Sequence, residues 1–376
     1  MKKLVFLIVF IALAIILIAH EIQHETIAIN IEVPVRVFTK GKFAEELTIK
    51  DFELYEDGTP QEILALYLVK KTVIEREETE SDERQASKKF IPETSRTFVL
   101  MFELMDYFPK TRKALDYLFE SVISPGDSLY IITPSNYYSF KKEDLDQLPR
   151  EVIVDQLIER VTKDIRSAAR EYRSMIRDLE FLEIMGGPSS LTTKAVFGRI
   201  RDYRFFDAKK LIEFKDQLMD IEGQKYVFLF YQQLLVPRLR SISYIGEELI
   251  SFDVKKIKQI YSDSSIFINF IFLTKAQIHQ MDVTRKSRTR TNKELIDISS
   301  AVFGTFHEMA KATGGITDSS ANIAASFQRA AISSENYYLL YYRPKNYQAD
   351  GKFKNIKVKV KGKNYRVTHR AGYIAD

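Results

Sequence analysis

The chain of 376 residues contains no cysteine and no tryptophan. Without cysteine it can form no disulfide, thiolate metal site, iron–sulfur cluster or cysteine nucleophile, and no lipid can be attached through a cysteine. An excess of one charge sign is also lacking, because 56 lysines and arginines offset 51 acidic residues and leave a net charge of +5. A global basic field of the kind that attracts nucleic acid is therefore excluded, and any partner must be recognised by a local feature.

Apolar residues make up 45% of the chain, which at this length is enough for two or three packed cores. The first apolar run, from Leu4 to Ala19, follows Lys2 and Lys3 and has the pattern of an export signal. It is just long enough to span a bilayer and lacks a good cleavage site, so an uncleaved N-terminal membrane anchor is the alternative. Residues 1–23 therefore predict an exported chain that is periplasmic, secreted or anchored to the membrane.

The segment His20-Glu21-Ile22-Gln23-His24 matches the H-E-x-x-H zinc-protease pattern, in which two histidines bind the metal and the glutamate activates water. Such a helix belongs inside a folded domain, whereas this copy ends a targeting segment. The other histidines, His279, His307 and His369, lie in no catalytic motif. We therefore expect no enzyme, no catalytic residue, no metal and no cofactor, and a zinc hydrolase is the less favoured alternative.

Strict alternation of apolar and polar residues predicts β-strands near both ends of the chain. Residues 24–74 contain such strands and an Asp57-Gly58 hairpin signal, and residues 331–376 contain a second set. Because isolated sheets of two or three strands are marginal, the two sets are expected to form one β-sandwich. The densely charged residues 75–95 predict an exposed linker.

Continuous apolar runs indicate strands that are buried on both faces, as in a parallel sheet. They occupy residues 98–102, 129–132, 226–230 and 266–273, with helical stretches between them. Residues 96–330 therefore predict an α/β domain with a doubly wound sheet.

A helical excursion over residues 141–222 interrupts this domain. Apolar residues from Val154 to Leu182 step by four and three, which is a heptad seam on one long helix. A shorter helix through Leu211 and Leu218 follows. The seam is expected to pack on this returning helix in a hairpin, and the alternative is a self-associating structural subunit with a dimeric coiled coil.

Segments at both ends carry a family resemblance. The stretches Val33-Pro34-Val35-Arg36-Val37 and Leu47 to Gln61 resemble the opening of exported bacterial proteins with a von Willebrand factor A-related (VWFA-related) domain. The stretches Ala312-Thr313-Gly314-Gly315, Tyr337 to Pro344 and Arg370-Ala371-Gly372-Tyr373 look like that family's C-terminal signature. The resemblance implies a Rossmann-like VWA domain, here with an enlarged helical insertion, flanked by the sandwich strands.

Domains of this family bind a hard cation through Asp-x-Ser-x-Ser after the first strand and a further aspartate on a neighbouring loop. The corresponding positions here are Glu103, Met105 and Tyr107, with Gln232 near the place of the further aspartate. Hard cations need carboxylate and hydroxyl oxygens, so the resemblance implies a degenerate site and contact without metal. Weak binding of a cation through water by Glu103 and Asp106 is the alternative.

The expected function is a non-enzymatic, exported or envelope-associated scaffold for protein interaction or adhesion. Candidate contact residues are Asp106 and the basic run with Arg285, Arg288 and Arg290, although a solvated loop is the favoured interpretation of that run. The expected partner is an unknown envelope protein rather than nucleic acid. Contact with the membrane would come through an uncleaved N-terminal segment, and a homo-oligomer is possible.

Overall fold

A computed structural model of the chain describes residues 29–79, 94–147, 149–186, 190–204, 208–221, 223–233, 235–237, 253–262, 265–274, 295–297, 299–362 and 364–375. The export segment with its H-E-x-x-H match lies outside the described residues, as do Arg285, Arg288 and Arg290. Among the residues described, no helix combines the length and the apolar character needed to cross a membrane. The secondary structure is mixed α/β, as the sequence predicts.

The strands are β1 (Ile31–Thr39), β2 (Lys42–Phe43), β3 (Phe52–Glu56), β4 (Thr59–Gln61), β5 (Ile63–Lys70), β6 (Val73–Thr79), β7 (Arg96–Glu103), β8 (Ser128–Ile132), β9 (Tyr137–Phe140), β10 (Gln224–Gln232), β11 (Leu235–Pro237), β12 (Ile266–Leu273), β13 (Leu295–Asp297), β14 (Thr317–Ser320), β15 (Asn336–Tyr342), β16 (Phe353–Val360), β17 (Arg366–His369) and β18 (Gly372–Ile374). The helices are α1 (Thr111–Tyr117), α2 (Lys142–Gln147), α3 (Arg150–Gly186), α4 (Leu191–Arg204), α5 (Ala208–Met219), α6 (Val254–Ser262), α7 (Ser300–Ala312) and α8 (Ile323–Ala331).

Strands from both ends of the chain share two sheets. One sheet has the order β17-β1-β15-β5-β6 with β2 beside β1, and the other has the order β18-β16-β3-β4. Strand β1 is antiparallel to β15, with Val33 opposite Leu340, and β3 is antiparallel to β16, with Leu54 opposite Val358. Apolar side chains of the two sheets form one core. The N-terminal and C-terminal strands therefore make a single β-sandwich.

The charged segment 75–95 is not a linker over its whole length, because β6 continues to Thr79 and pairs with β5. Its side chains alternate between exposed and half-buried, so the strand is stabilised by pairing rather than by burial. Glu78 accepts a hydrogen bond from the backbone N–H of Ile49 at 2.8 Å, and Arg76 donates one to the carbonyl of Leu47. Composition alone could not reveal an edge strand held in this way.

The central sheet has the order β14-β12-β10-β7-β8-β9, and every pairing is parallel except that of β9 with β8. When the six strands of this sheet are numbered 1 to 6 in chain order, their spatial order read from β9 is 3-2-1-4-5-6. Strand β7 has β8 on one side and β10 on the other, so the winding reverses between β7 and β10. In open α/β sheets this reversal leaves a crevice at the carboxyl ends of the strands.

Helices cover both faces of the central sheet. On one face, α1, α8 and the first half of α3 pack against β7, β8, β10 and β12 around Phe228 and Phe327. On the other face, α5, α6 and α7 pack around Phe270 and Phe306. Two apolar cores therefore enclose the sheet, which explains the continuous apolar runs of its strands.

The long helix of the expected hairpin is present as α3, but its partner differs from the expectation. Leu211 and Leu218 of α5 belong to the core on the opposite face of the sheet. The seam packs instead on α4, the antiparallel helix that follows directly. Seam residues Met175 and Leu179 are buried there and belong to neither core of the sheet. Periodicity identifies an apolar face but carries no information about which helix covers it.

The last part of the chain forms two strands, β17 and β18, because the chain crosses between the sandwich sheets after β17. At the crossing, the N–H of Ala371 donates to the carbonyl of Ala312 at the end of α7 over 2.7 Å. A Cβ on Gly315 would lie 2.0 Å from the carbonyl oxygen of Ile268, and one on Gly372 would lie 2.1 Å from that of Lys354. These glycines are where the backbone segments approach most closely.

Arg36 of β1 joins the sandwich to the central sheet. Its side chain is buried, its Nε donates to the carbonyl of Ser333, and its guanidinium lies 4.0 Å from the ring centroid of Phe267. A buried charge is tolerated only when hydrogen bonds and aromatic faces replace water. The two units are therefore fixed to one another through a specific polar contact.

Candidate functional site

The candidate site lies at the carboxyl ends of β7 and β10, where the winding of the sheet reverses. Glu103 is the last residue of β7 and lies opposite Tyr231 in the register of the parallel pair. The loop that follows β7 carries Met105, Asp106 and Tyr107, and Gln232 ends β10. The structure therefore brings together every residue that the sequence analysis assigned to the degenerate cation site.

Gln232 bridges the two strand ends. Its side-chain oxygen accepts hydrogen bonds from the backbone N–H groups of Met105 at 2.7 Å and Asp106 at 2.8 Å. Its side-chain nitrogen donates to Oδ2 of Asp106 over 2.9 Å. The side chain is 1% exposed, so an unmet hydrogen-bonding group here would cost about 1–3 kcal/mol. The amide of Gln232 therefore provides hydrogen-bond partners for the loop backbone and for the carboxylate of Asp106 at the same time.

The second oxygen of Asp106 is also engaged. Oδ1 accepts a hydrogen bond from Nη2 of Arg173, a residue of α3, over 2.9 Å. Both carboxylate oxygens of Asp106 therefore face N–H donors of Gln232 and Arg173. The guanidinium of Arg173 offsets the charge of this carboxylate, and both donors lie where a cation would otherwise contact its oxygens.

The remaining residues of the site are Met105, Tyr107 and Glu103. Met105 is buried, and Tyr107 is half-buried with the guanidinium of Arg166 lying 5.7 Å from its ring centroid. Glu103 is half-buried at the end of its strand. In the part of the chain that the structure describes, no three histidine, cysteine, aspartate or glutamate side chains are grouped closely enough to hold a metal ion.

An open cleft of about 980 Å³ lies beside this site, between α3 and the loop that leads from β7 into α1. Its cationic lining residues are Arg112, Lys163, Arg166, Arg170 and Arg173. The carboxylates that line it are Asp106 and Glu159. The cleft therefore has an excess of positive charge at the point where doubly wound sheets bind their ligands.

Two of these cations have an acidic partner. Arg173 pairs with Asp106, and Arg112 pairs with Asp155 at 2.7 Å. Within the described part of the chain, Lys163, Arg166 and Arg170 have no carboxylate at ion-pair distance. The sequence analysis did not identify this row, although its spacing of three, four and three residues follows the same period as the seam.

Asp164 fixes the position of this row of cations. It is a buried residue of α3 that lies between Lys163 and Arg166 in the sequence. Its carboxylate accepts hydrogen bonds from Thr133 Oγ1 at 2.8 Å, Asn136 Nδ2 at 2.7 Å and the hydroxyl of Tyr138 at 2.7 Å. Burial and the hydrogen bond to Asp164 raise the pKa of Tyr138 to about 12. The phenol therefore stays protonated and holds α3 against β9.

No family model matches the chain, and no curated protein matches it significantly.

Proposed function

We propose that the chain is an exported bacterial protein of the VWFA-related type, and that it acts as a non-enzymatic scaffold for protein interaction. The interacting surface is the crevice at the carboxyl ends of the central sheet. Contact there requires no bound cation. In this proposal the segment 1–23 exports the chain or anchors it to the membrane, and the partner is another protein of the envelope.

The strand order of the central sheet supports the fold part of the proposal. The order 3-2-1-4-5-6 with helices on both faces is that of doubly wound Rossmann-like sheets, whose ligands bind at the carboxyl ends. Nucleotide-binding sheets of this kind bring phosphate close to a glycine-rich turn after the first strand. The loop after β7 has no glycine from Glu103 to Thr111, which favours a protein ligand over a dinucleotide.

The hydrogen bonding of Gln232 carries the proposal that the contact is independent of metal. A cation at this crevice would need the oxygens of Asp106, which already accept hydrogen bonds from Gln232 and Arg173. A cation bound there would have to share these oxygens with both donors, and the guanidinium of Arg173 would repel it. Gln232 and Arg173 together therefore take the role that a divalent cation would have in organising the crevice.

The environment of the described histidines supports a non-enzymatic role. His369 accepts a hydrogen bond from the N–H of Val358 at Nε2, and its Nδ1 lies 2.7 Å from the carbonyl of Arg370. Both ring nitrogens are thus used in the sandwich. His307 lies beside Thr317 at the far edge of the central sheet, away from the cleft.

Capture from an envelope extract tests the proposal. The full chain, purified in mild detergent and immobilised, is exposed to a detergent extract of the bacterial envelope with millimolar Mg²⁺ or with a chelator. The expected result is that the same partner is retained under both conditions. Retention that requires Mg²⁺ would contradict metal independence, and the absence of any retained protein would contradict the scaffold function.

A second candidate function is self-association through the end of the helical hairpin. The seam itself is buried by α4, but Ile184, Met185 and Leu191 at the hairpin end are 79%, 70% and 87% exposed. An exposed apolar group of this kind is typical of a protein contact. Light scattering on the full chain and on the Ile184→Ser/Met185→Ser variant tests it, and equal particle mass in both samples would contradict it.

A further inference from the structure

The contacts within the described part of the folded chain do not explain all four cations of the row on α3. Lys163, Arg166, Arg170 and Arg173 lie on one face of the helix and span about 15 Å along its axis. Arg173 is used by Asp106, but Lys163 and Arg170 meet no carboxylate among the described residues. Like charges at this spacing repel one another and destabilise a helix. The row therefore lowers the stability of α3 unless opposite charges compensate it.

We infer that this cleft is a docking groove for an acidic polypeptide segment of the partner protein, whose carboxylates bind the row Lys163, Arg166, Arg170 and Arg173. The inference rests on the proposed scaffold function and names the chemistry of its partner.

The cleft itself shows that its guanidinium groups accept carboxylates. Arg173 binds Asp106 and Arg112 binds Asp155, each with an N–O separation below 3 Å. Arg166, Arg170 and Arg173 project from successive turns, so their side chains are about 5–6 Å apart. This matches the distance between acidic side chains on one face of a helix, and it is close to the 6.6–6.8 Å repeat of one face of an extended chain.

The shape of the cleft favours a polypeptide over a small anion. It is open along the helix rather than closed around a ligand, and Tyr107 and Ile158 give its floor an apolar contact area. A nucleic acid would need a wider basic surface than one helical row, and the chain has a net charge of only +5. An acidic segment with an occasional apolar side chain fits both the charge and the floor.

Fluorescence anisotropy with the full chain tests the inference. The probe is a labelled dodecapeptide of alternating glutamate and serine, the matched probe replaces glutamate by glutamine, and a third probe is an oligothymidylate of the same length. We expect the acidic peptide to bind, the glutamine peptide not to bind, and the double variant Arg166→Gln/Arg170→Gln to weaken binding by about tenfold or more. The variant Lys163→Gln/Arg170→Gln, which keeps the contact of Arg166 with Tyr107, should do the same.

The variant Lys42→Gln/Lys345→Gln is the matched control, because it removes two exposed lysines from the sandwich and should leave peptide affinity unchanged. Equal affinity of the wild type and both cleft variants would overturn the inference, as would tighter binding of the oligothymidylate through the same arginines. If the envelope partner is captured but the acidic peptide neither binds nor displaces it, the docking groove is wrong while the scaffold function stands. If the peptide binds the row but nothing is captured, the groove is supported and the scaffold function fails.

Discussion

Gln232 donates its amide hydrogen to the carboxylate of Asp106 across the ends of two neighbouring strands, although the two residues are 126 positions apart in the sequence. The same amide accepts from the backbone of the loop that carries Asp106. Only a side chain that is both donor and acceptor can satisfy these two demands. Glutamine at this position therefore links the two strand ends through a neutral side chain.

Substitution of Gln232 by glutamate keeps the shape of the side chain but removes the donor and places a second carboxylate against Asp106. We expect Gln232→Glu to lower the free energy of unfolding by about 1–3 kcal/mol, measured by urea denaturation. Millimolar Ca²⁺ or Mg²⁺ should restore part of this loss, because two facing carboxylates can share a cation.

The matched control is Gln233→Glu, since Gln233 donates to Asp297 at 2.8 Å in an exposed position. There the same change should cost less than about 1 kcal/mol because water screens the charges. Equal losses at the two positions would show that burial of Gln232 has no special role.

Two glycines give a sharp test of the packing behind the central sheet. Gly315→Ala places a methyl group 2.0 Å from the backbone carbonyl oxygen of Ile268, which cannot move without disturbing β12. We expect a loss of about 3 kcal/mol or more, or no folded protein. Gly304→Ala in the exposed face of α7 meets nothing within 4 Å and should stabilise the chain by about 0.5–1 kcal/mol. Thermal melting of both variants measures the difference, and a harmless Gly315→Ala would contradict this packing.

His369 makes the stability of the sandwich depend on pH. Burial lowers the pKa of His369 below its ordinary value of 6.5, although the hydrogen bond to the carbonyl of Arg370 opposes the shift. The unfolded chain therefore takes up a proton on this ring at a higher pH than the folded chain. The stabilisation is complete above about pH 6.5 and is lost as the pH falls towards the folded pKa.

We expect the midpoint temperature of thermal unfolding to decrease as the pH is lowered from about 7.5 to about 5.5. The variant His369→Gln should reduce the slope of this pH dependence. A slope that His369→Gln leaves unchanged would assign the pH dependence to other groups.

The outer half of the helical hairpin should be dispensable for the fold. Seam residues from Met175 to Leu179 pack on α4 and belong to neither core of the central sheet, whereas residues up to Ile165 belong to one of them. Replacing residues 175–202 with a short glycine and serine linker should leave a cooperative melting transition near that of the wild type. Loss of that transition in circular dichroism would mean that the outer hairpin is part of the folding unit. Shortening the helix further, into Ile165, should abolish folding.

The sequence predicted those features that depend on local pattern. The buried strand of residues 266–273 stands out because a strand covered on both faces is apolar at every position, and β12 has these bounds in the structure. The seam of α3 stands out because a buried helical face repeats every three or four residues.

The features that the sequence could not supply are those that depend on distant segments. The charged residues of β6 gave no strand signal because pairing with β5, rather than burial, holds them. The bond between Gln232 and Asp106 has no local signature at all. The row from Lys163 to Arg173 could have been found by its spacing, but its cleft requires knowing that the loop after β7 faces α3.

Thermal melting of the full chain with and without millimolar Mg²⁺ tests the central claim that the crevice is organised by Gln232 and Arg173 instead of a cation. Mg²⁺ present at 100 times the dissociation constant of a site would add about 2.7 kcal/mol to the free energy of unfolding, which is several degrees in melting temperature. The account predicts the same melting temperature in Mg²⁺ and in chelator. A rise of several degrees in Mg²⁺ that Asp106→Ala or Glu103→Ala abolishes would contradict it.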